Sequence, residues 1–197
     1  MAAVSPFFAY LSRLRWIKRW SLMRNAIHED VAIHSWEVAS IAHALGLIHN
    51  QQHPDAPVDA NRLATIGIYH DASEVITGDM PTPVKYHSEA MREAYKGVEV
   101  KAQTELLALV PNALRSAYSE ILLEHELPDI YQELLKAADR LSALLKCRAE
   151  LRAGNREFEQ AAEDIERRLI AMERPEVTYF LDTFAPAYEK SLDHLLD

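Results

Sequence analysis

The chain is 197 residues long, 49% hydrophobic and 26% charged, with 5 glycines and 1 cysteine. That length buries an adequate core without disulfides or a structural metal, and the composition excludes a disordered chain, a glycine-patterned fibre and any cysteine-built zinc or iron–sulfur centre. Acidic residues outnumber basic ones 30 to 21, a formal net charge of −9, which opposes binding to a nucleic-acid polymer but leaves room for a small phosphate compound at a local basic cluster.

Helical periodicity runs through nearly the whole sequence, and no segment shows convincing strand alternation. From Pro6, the residues Phe7, Leu11, Leu14 and Ile17 recur at threes and fours, in a stretch made basic by Arg13, Arg15, Lys18, Arg19 and Arg24. Met1 to Phe8 has no basic region ahead of an apolar core, so a secretory signal is not expected. Asp30 is placed to cap a second helix whose apolar side carries Val31, Val38, Ile41, Ala42, Leu45 and Ile48. Gln51 to Pro57 reads as a connector. Asp59 caps a short helix with Leu63, Ile66 and Tyr69 that delivers His70 and Asp71. That pattern continues to about Ile76 and stops at Thr77-Gly78-Asp79-Met80-Pro81-Thr82-Pro83, an ordered loop.

A long polar helix is expected from Ser88 to Val110, ended by Pro111, and another from Leu114 to Glu126. Ile130 to Arg152 follows with Leu134, Leu135, Ala138, Leu141, Leu144 and Leu145, closed by Gly154-Asn155. Helices over Phe158–Met172 and Val177–Leu196 complete the chain, the last one bent or interrupted at Pro186. Trp16 and Trp36 are expected in the core, and Cys147 as a helix packing residue. No apolar run approaches 18 residues, so no membrane span is expected. The expectation is one all-α, single-domain helical bundle over residues 1–197, cytoplasmic, with its cysteine reduced.

The most informative pair is His70-Asp71. Neighbours on a helix point about 100° apart, so both reach one ion only at the helix edge. His34 lies early in the second helix, and Asp139 interrupts the apolar run Leu134-Leu135-Lys136-Ala137-Ala138-Asp139-Arg140-Leu141. Two imidazoles and two carboxylates suit a borderline divalent ion with positions open for water and substrate. Ordinary alternatives stand beside this: His34 as a packing histidine, Asp71 as a surface residue, Asp139 paired with Lys136 or Arg140. Glu74 lies four after His70 and three after Asp71, on the same face, where a carboxylate outside the ion's ligands can move protons. In the proline-bounded loop, Asp79 suits a cap of the next segment, a substrate hydroxyl or a proton, while Thr82 and Lys85 suit an oxyanion. Arg19-Trp20 combines a donor fork with a stacking face, fitting a nucleotide or a basic helix surface with a packed tryptophan.

The order His34, His70-Asp71, Asp139 resembles the metal-binding pattern of the HD-domain phosphohydrolases. The words Trp20-Ser21-Leu22-Met23-Arg24-Asn25, Tyr69-His70-Asp71-Ala72-Ser73-Glu74-Val75 and Thr77 through Tyr86 resemble the bacterial 5'-deoxynucleotidases within that superfamily. The likeness extends from Lys136-Ala137-Ala138-Asp139 through Tyr188. The resemblance implies metal-dependent release of phosphate from deoxyribonucleoside 5'-monophosphates by a cytoplasmic homodimer using one divalent ion per chain, such as cobalt or manganese. It implies that His34, His70, Asp71 and Asp139 hold the ion and that Glu74 transfers protons, with Asp79 as the other acid–base candidate. It further implies that Arg19 and Trp20 stand at the sugar, Arg19 helping to reject the ribose 2'-hydroxyl, and that Asp79, Met80, Pro81 and Thr82 line the sugar and phosphate pocket, with Lys85, Asp71 and Asp139 also facing substrate. One departure is visible: the family usually has Ser-Glu-His where this chain has Ala32-Ile33-His34, which keeps the ligand and replaces a polar neighbour with an apolar one. Two rival functions remain. A pyrophospho- or triphosphohydrolase needs more cations than Lys85 supplies near the loop, and a nucleotide-sensing protein without turnover has no need of Glu74.

Overall fold

Polar side chains start the helices where the sequence places them. The computed structural model describes residues 4–195; Met1 to Ala3 of the expected N-terminal segment, and Leu196 at the expected end of the last helix, lie outside the described residues. A short α1 (Phe7–Leu11) runs into a 3-10 turn, Ser12–Trp16. Asp30 caps α2 (Val31–Gln52) through the Ile33 amide, and Asp59 caps α3 (Ala60–Tyr69) through those of Asn61 and Arg62. Each cap satisfies amides that a helix start leaves without partners. Single turns α4 (Glu74–Thr77) and α5 (Thr82–Lys85) flank Gly78, whose φ of +70 suits a residue without a Cβ. Ser88 caps α6 (Glu89–Leu109), followed by α7 (Asn112–Leu122), α8 (Asp129–Arg152), α9 (Glu159–Ile170) and α10 (Pro175–Thr183).

The expected helix over 177–196 stops at Thr183, because Pro186 lacks an amide to continue it; 3-10 turns Ala185–Glu189 and Leu192–His194 replace it. Among the described residues there is no strand, only an isolated bridge between Lys18 and Asp30. The all-α expectation holds.

The core forms where α2, α3 and α8 meet. Leu45, Leu63, Ile66, Leu134, Leu141 and Leu144 are fully buried there. The α2–α3 crossing is tight enough that a Cβ on Gly67 would stand 2.7 Å from the Ala39 backbone. Cys147 is buried in this core, and burial pushes its thiol up to about 12, as befits a packing residue. A smaller cluster, Phe7, Ala72, Leu106, Val110 and Leu122, ties α1, α6 and α7 to the chain just after His70-Asp71.

One helix departs from the membrane expectation. By length and composition α2 could span a bilayer, with a mean hydropathy of 1.3 over its most apolar window, but 56% of that window is buried inside the protein. Its apolarity serves α3 and α8. The two tryptophans expected in the core are also outside it: Trp16 is 65% and Trp36 68% exposed. Trp36 lies two residues, roughly 200°, around α2 from the inward-facing His34. Trp16 ends its 3-10 turn beneath the Arg13 guanidinium, 5.1 Å from the ring centre.

A buried carboxylate fastens the loop between Ile17 and Asp30. Glu150 accepts from the amides of Ala26 and Ile27, from Asn155 Nδ2 and from Lys146 Nζ. Burial alone would raise its pKa, but the Lys146 and Asn155 bonds, with the two amides, bring it from 4.5 down to about 2.

Two outcomes follow from this packing. Gly67→Ala should lower stability by about 1–3 kcal/mol in urea unfolding, since α2 must retreat. Glu150→Gln should cost about 3 kcal/mol near neutral pH by leaving Lys146 buried and unpaired. Because the folded pKa is depressed, the wild-type advantage is complete above about 4.5 and disappears as pH falls through about 2. Urea titrations of both proteins across that window check it.

Candidate metal centre and active site

His34 sits in the first turn of α2 and is fully buried, with Nδ1 3.0 Å from Ser142 Oγ of α8. His70 follows the last residue of α3, where the chain tightens into i→i+3 turns before α4. Its Nδ1 lies 2.8 Å from the Gly67 carbonyl. A carbonyl only accepts, so that nitrogen carries a proton, and in the neutral ring Nε2 is the atom with the lone pair. The close α2–α3 crossing at Gly67 therefore also sets this ring.

The two Nε2 atoms face carboxylate oxygens. His70 Nε2 is 3.1 Å from Asp71 Oδ2, and His34 Nε2 is 3.6 Å from the same oxygen and 3.1 Å from Asp139 Oδ1. Both nitrogens are buried without a hydrogen-bond partner. Donor atoms of His34, His70 and Asp71 all fall within 4.8 Å of one another, and Asp139 joins through His34. Lone pairs facing lone pairs in a buried site require a cation between them. Burial, reinforced by Arg19, lowers the His34 pKa and keeps that ring neutral. Burial would lower His70 too, but the Asp71 carboxylate, helped by Asp139 and Glu124, pushes it up to about 10. The carboxylates thus favour positive charge at this point, which a divalent ion held by these residues would supply. The donor set fits a borderline divalent metal.

A second group, His49, His53 and Glu176, also lies within such a distance. Its carboxylate is already used: Glu176 Oε1 is 2.6 Å from His49 Nδ1, and Arg174 bonds both oxygens. His49 Nε2 is 3.2 Å from the Ala56 carbonyl. With a guanidinium on the carboxylate and both His49 nitrogens engaged, this is a latch between α2 and α10.

A cavity of about 350 Å³ opens beside the first group, lined by His70, Asp71, Glu74, Lys85 and Asp139 among others. Glu74 Oε2 is buried without a partner. Burial, with the negative charges of Asp71 and Asp79, holds its carboxyl up at about 9. Burial likewise raises Asp79, against the pull of Arg19. Asp79, Met80 and Pro81 are half-buried, Thr82 is exposed, and none of the four lines this cavity. Lys85 bonds Glu99 at 2.8 Å and lies over the Tyr95 ring.

Arg19 and Trp20 also lie outside the cavity lining, yet they are held firmly. Glu29 Oε2 accepts from Arg19 Nη1 at 3.1 Å and from Trp20 Nε1 at 2.9 Å. Burial works against the Arg19 charge, but Glu29 first, then Asp139, Asp71 and Asp79, raise its pKa. The Trp20 ring packs on Phe158 at 5.3 Å, and its backbone is left-handed with φ +58.

Several residues escaped the sequence reading. Ser142, Glu37 and Glu29 support the expected residues without any motif of their own; a polar residue one turn after Asp139 in an apolar helix was the available signal for Ser142. Lys96 and Lys136 also line the cavity with Lys85, cations that the loop sequence alone did not reveal.

Residues 6–188 match the family described as 5'-deoxynucleotidase YfbR-like. The chain belongs to this family. A 5'-deoxynucleotidase of Vibrio atlanticus is 44% identical over 97% of this chain and 98% of its own length, and one of Yersinia pestis is 45% identical over 98% and 97%. Among solved structures, an HD-domain phosphohydrolase of Listeria innocua shares the fold with a TM-score of 0.78 and 26% identity, covering 92% of this chain and 87% of that one. A cyanophage S-2L HD phosphohydrolase, bound to dA and one catalytic Zn2+ ion, shares the fold at a TM-score of 0.61 and 19% identity over 90% and 95% of the two chains.

Family membership and the paired orphan nitrogens lead to one expectation. A divalent ion at about 100 times its Kd should stabilise the protein by about 2.7 kcal/mol. His70→Ala should abolish that gain. Thermal unfolding of chelator-treated protein, with and without manganese or cobalt, measures both.

Proposed function

We propose that the protein is a metal-dependent 5'-deoxynucleotidase, hydrolysing deoxyribonucleoside 5'-monophosphates to deoxyribonucleoside and phosphate. The observation that carries this is the convergence of two neutral-capable imidazoles and two carboxylates beside an orphaned, proton-holding Glu74. Family membership supports it. His34, His70, Asp71 and Asp139 are the residues that hold one divalent ion, which supplies charge stabilisation to a phosphoryl oxygen and acidity to water.

The chain's own residues do the rest. Glu74 is positioned at the cavity to hold or move a proton as the bond between phosphorus and the 5'-oxygen breaks, and Asp79 is the second carboxyl whose pKa burial raises. Arg19, fixed by Glu29, is assigned to the deoxyribose, with Trp20 beside it. Asp79, Met80, Pro81 and Thr82 are assigned to the sugar and phosphate pocket, and Lys85, with Lys96 and Lys136 nearby, to drawing a dianion towards a chain of net charge −9. The same reading takes residues 1–197 as one domain, acting as a cytoplasmic homodimer with cobalt or manganese. The single domain and the location rest on the sequence pattern, the homodimer and the two metals on the resemblance to the family.

Paired deoxy- and ribonucleoside monophosphates, assayed across a metal panel, test the reading. Orthophosphate should be the only phosphorus product, and pyrophosphate or triphosphate release from longer substrates would move the protein to another class. Glu74→Ala should keep its ion and lose about 100-fold or more in kcat. Arg19→Ala should narrow the deoxy-to-ribo ratio of kcat/KM by about tenfold, as loss of one charge-assisted contact implies.

A further inference from the structure

His34 shows its place in the site only if the right nitrogen is bare. An imidazole binds an ion through a lone pair, and a neutral ring has one lone pair and one N–H. For His70 the Gly67 carbonyl settles which is which. For His34 the neighbour is a hydroxyl, which can donate as well as accept, so Ser142 by itself settles nothing. Were Ser142 to donate into Nδ1, the His34 proton would sit on Nε2, between Asp71 and Asp139, where the ion belongs.

A third group removes the ambiguity. Ser142 Oγ donates to Glu37 Oε2 at 3.0 Å. A carboxylate only accepts, so the one hydroxyl proton is committed to it, and the Ser142 oxygen is left to accept from His34 Nδ1 at 3.0 Å. The arrangement is reciprocal along the two helices. On α2, Glu37 lies three residues after His34; on α8, Ser142 lies three residues after Asp139, so each helix offers one ligand and, a turn later, one support. Ser142 is fully buried, which keeps water from substituting for either bond.

We infer that Ser142 and Glu37 are positioning residues for the metal centre, a relay from the Glu37 carboxylate through the Ser142 hydroxyl to His34 Nδ1 that holds the ring in the tautomer with Nε2 bare. The inference rests on the reading of His34 as a metal ligand. It assigns neither residue a contact with substrate or ion. Supports of this kind alter affinity by about 10–100-fold when removed.

The test uses the full chain with metal removed, and manganese(II) as the probe. Calorimetric titration gives the manganese Kd of wild type, Ser142→Ala and Glu37→Gln. Nitrogen-15 NMR of histidine-labelled, metal-free protein reports which His34 nitrogen carries hydrogen, with His34→Gln identifying its resonances. Glutamine keeps the shape of Glu37 but can turn its NH2 towards Ser142 and release the hydroxyl proton to His34. The relay predicts a Kd raised about 10-fold or more in both variants and a His34 population shifted towards hydrogen on Nε2. Unchanged Kd and unchanged tautomer overturn it, even where the variants lose thermal stability, because a mere interhelix contact affects only stability. Should Ser142→Ala fail to fold, Glu37→Gln decides alone, its side chain being only half-buried. Phosphate release by wild type is measured in parallel. Turnover with unaltered variants overturns the relay and leaves the proposed function; altered variants without wild-type turnover support the relay and overturn the function.

Discussion

The centre of this protein is an electrostatic problem that the fold creates and a cation resolves. Two buried imidazole nitrogens with no hydrogen-bond partner face the carboxylates of Asp71 and Asp139 at 3.1–3.6 Å. Groups that all offer lone pairs repel unless positive charge lies among them, and burial removes the water that would otherwise supply it. Holding them together takes three helices, and each is fixed by something other than the site. The capped start of α2 sets His34, the glycine crossing with α3 sets His70, and the leucine-rich face of α8 sets Asp139.

The surrounding charges follow from the same constraint. With carboxylates concentrated at one point, the Arg19 charge is favoured, and burial together with Asp71 and Asp79 pushes the Glu74 carboxyl up. Arg19 in turn depends on Glu29, and the loop bearing it depends on the buried Glu150. The chain's acidity therefore coexists with anion chemistry because positive charge is local: an ion, one guanidinium and the lysines of the cavity wall. The far end of α2 illustrates the contrast. His49, His53 and Glu176 have metal-like chemistry, but Arg174 has already neutralised the carboxylate, so the cluster holds α10 in place.

Much of this was legible in the sequence. The caps Asp30 and Asp59 gave helix starts because capping is local and needs only a side-chain oxygen beside free amides. The His70-Asp71 pair, with Glu74 a turn later, was legible because spacing within one turn fixes direction. Trp16 and Trp36 show the limit: hydrophobicity says that a residue prefers burial, while its angle around the helix decides whether it finds it. The interruption of the last helix near Pro186 was legible, since a proline amide is missing whatever the apolar pattern says.

By itself, then, the sequence pointed to an all-helical chain and to histidines and aspartates as candidate ligands, and it excluded any sulfur-ligated centre. These depend on residue type and on spacing along one helix. Only the tertiary structure decided that His34, 36 positions before His70 and 105 before Asp139, shares their site, that Lys96 and Lys136 join Lys85, and that Ser142 and Glu37 stand behind His34. Those relations come from how α2, α3, α6 and α8 cross. Crossings are set by the summed packing of many apolar side chains, which no local pattern encodes.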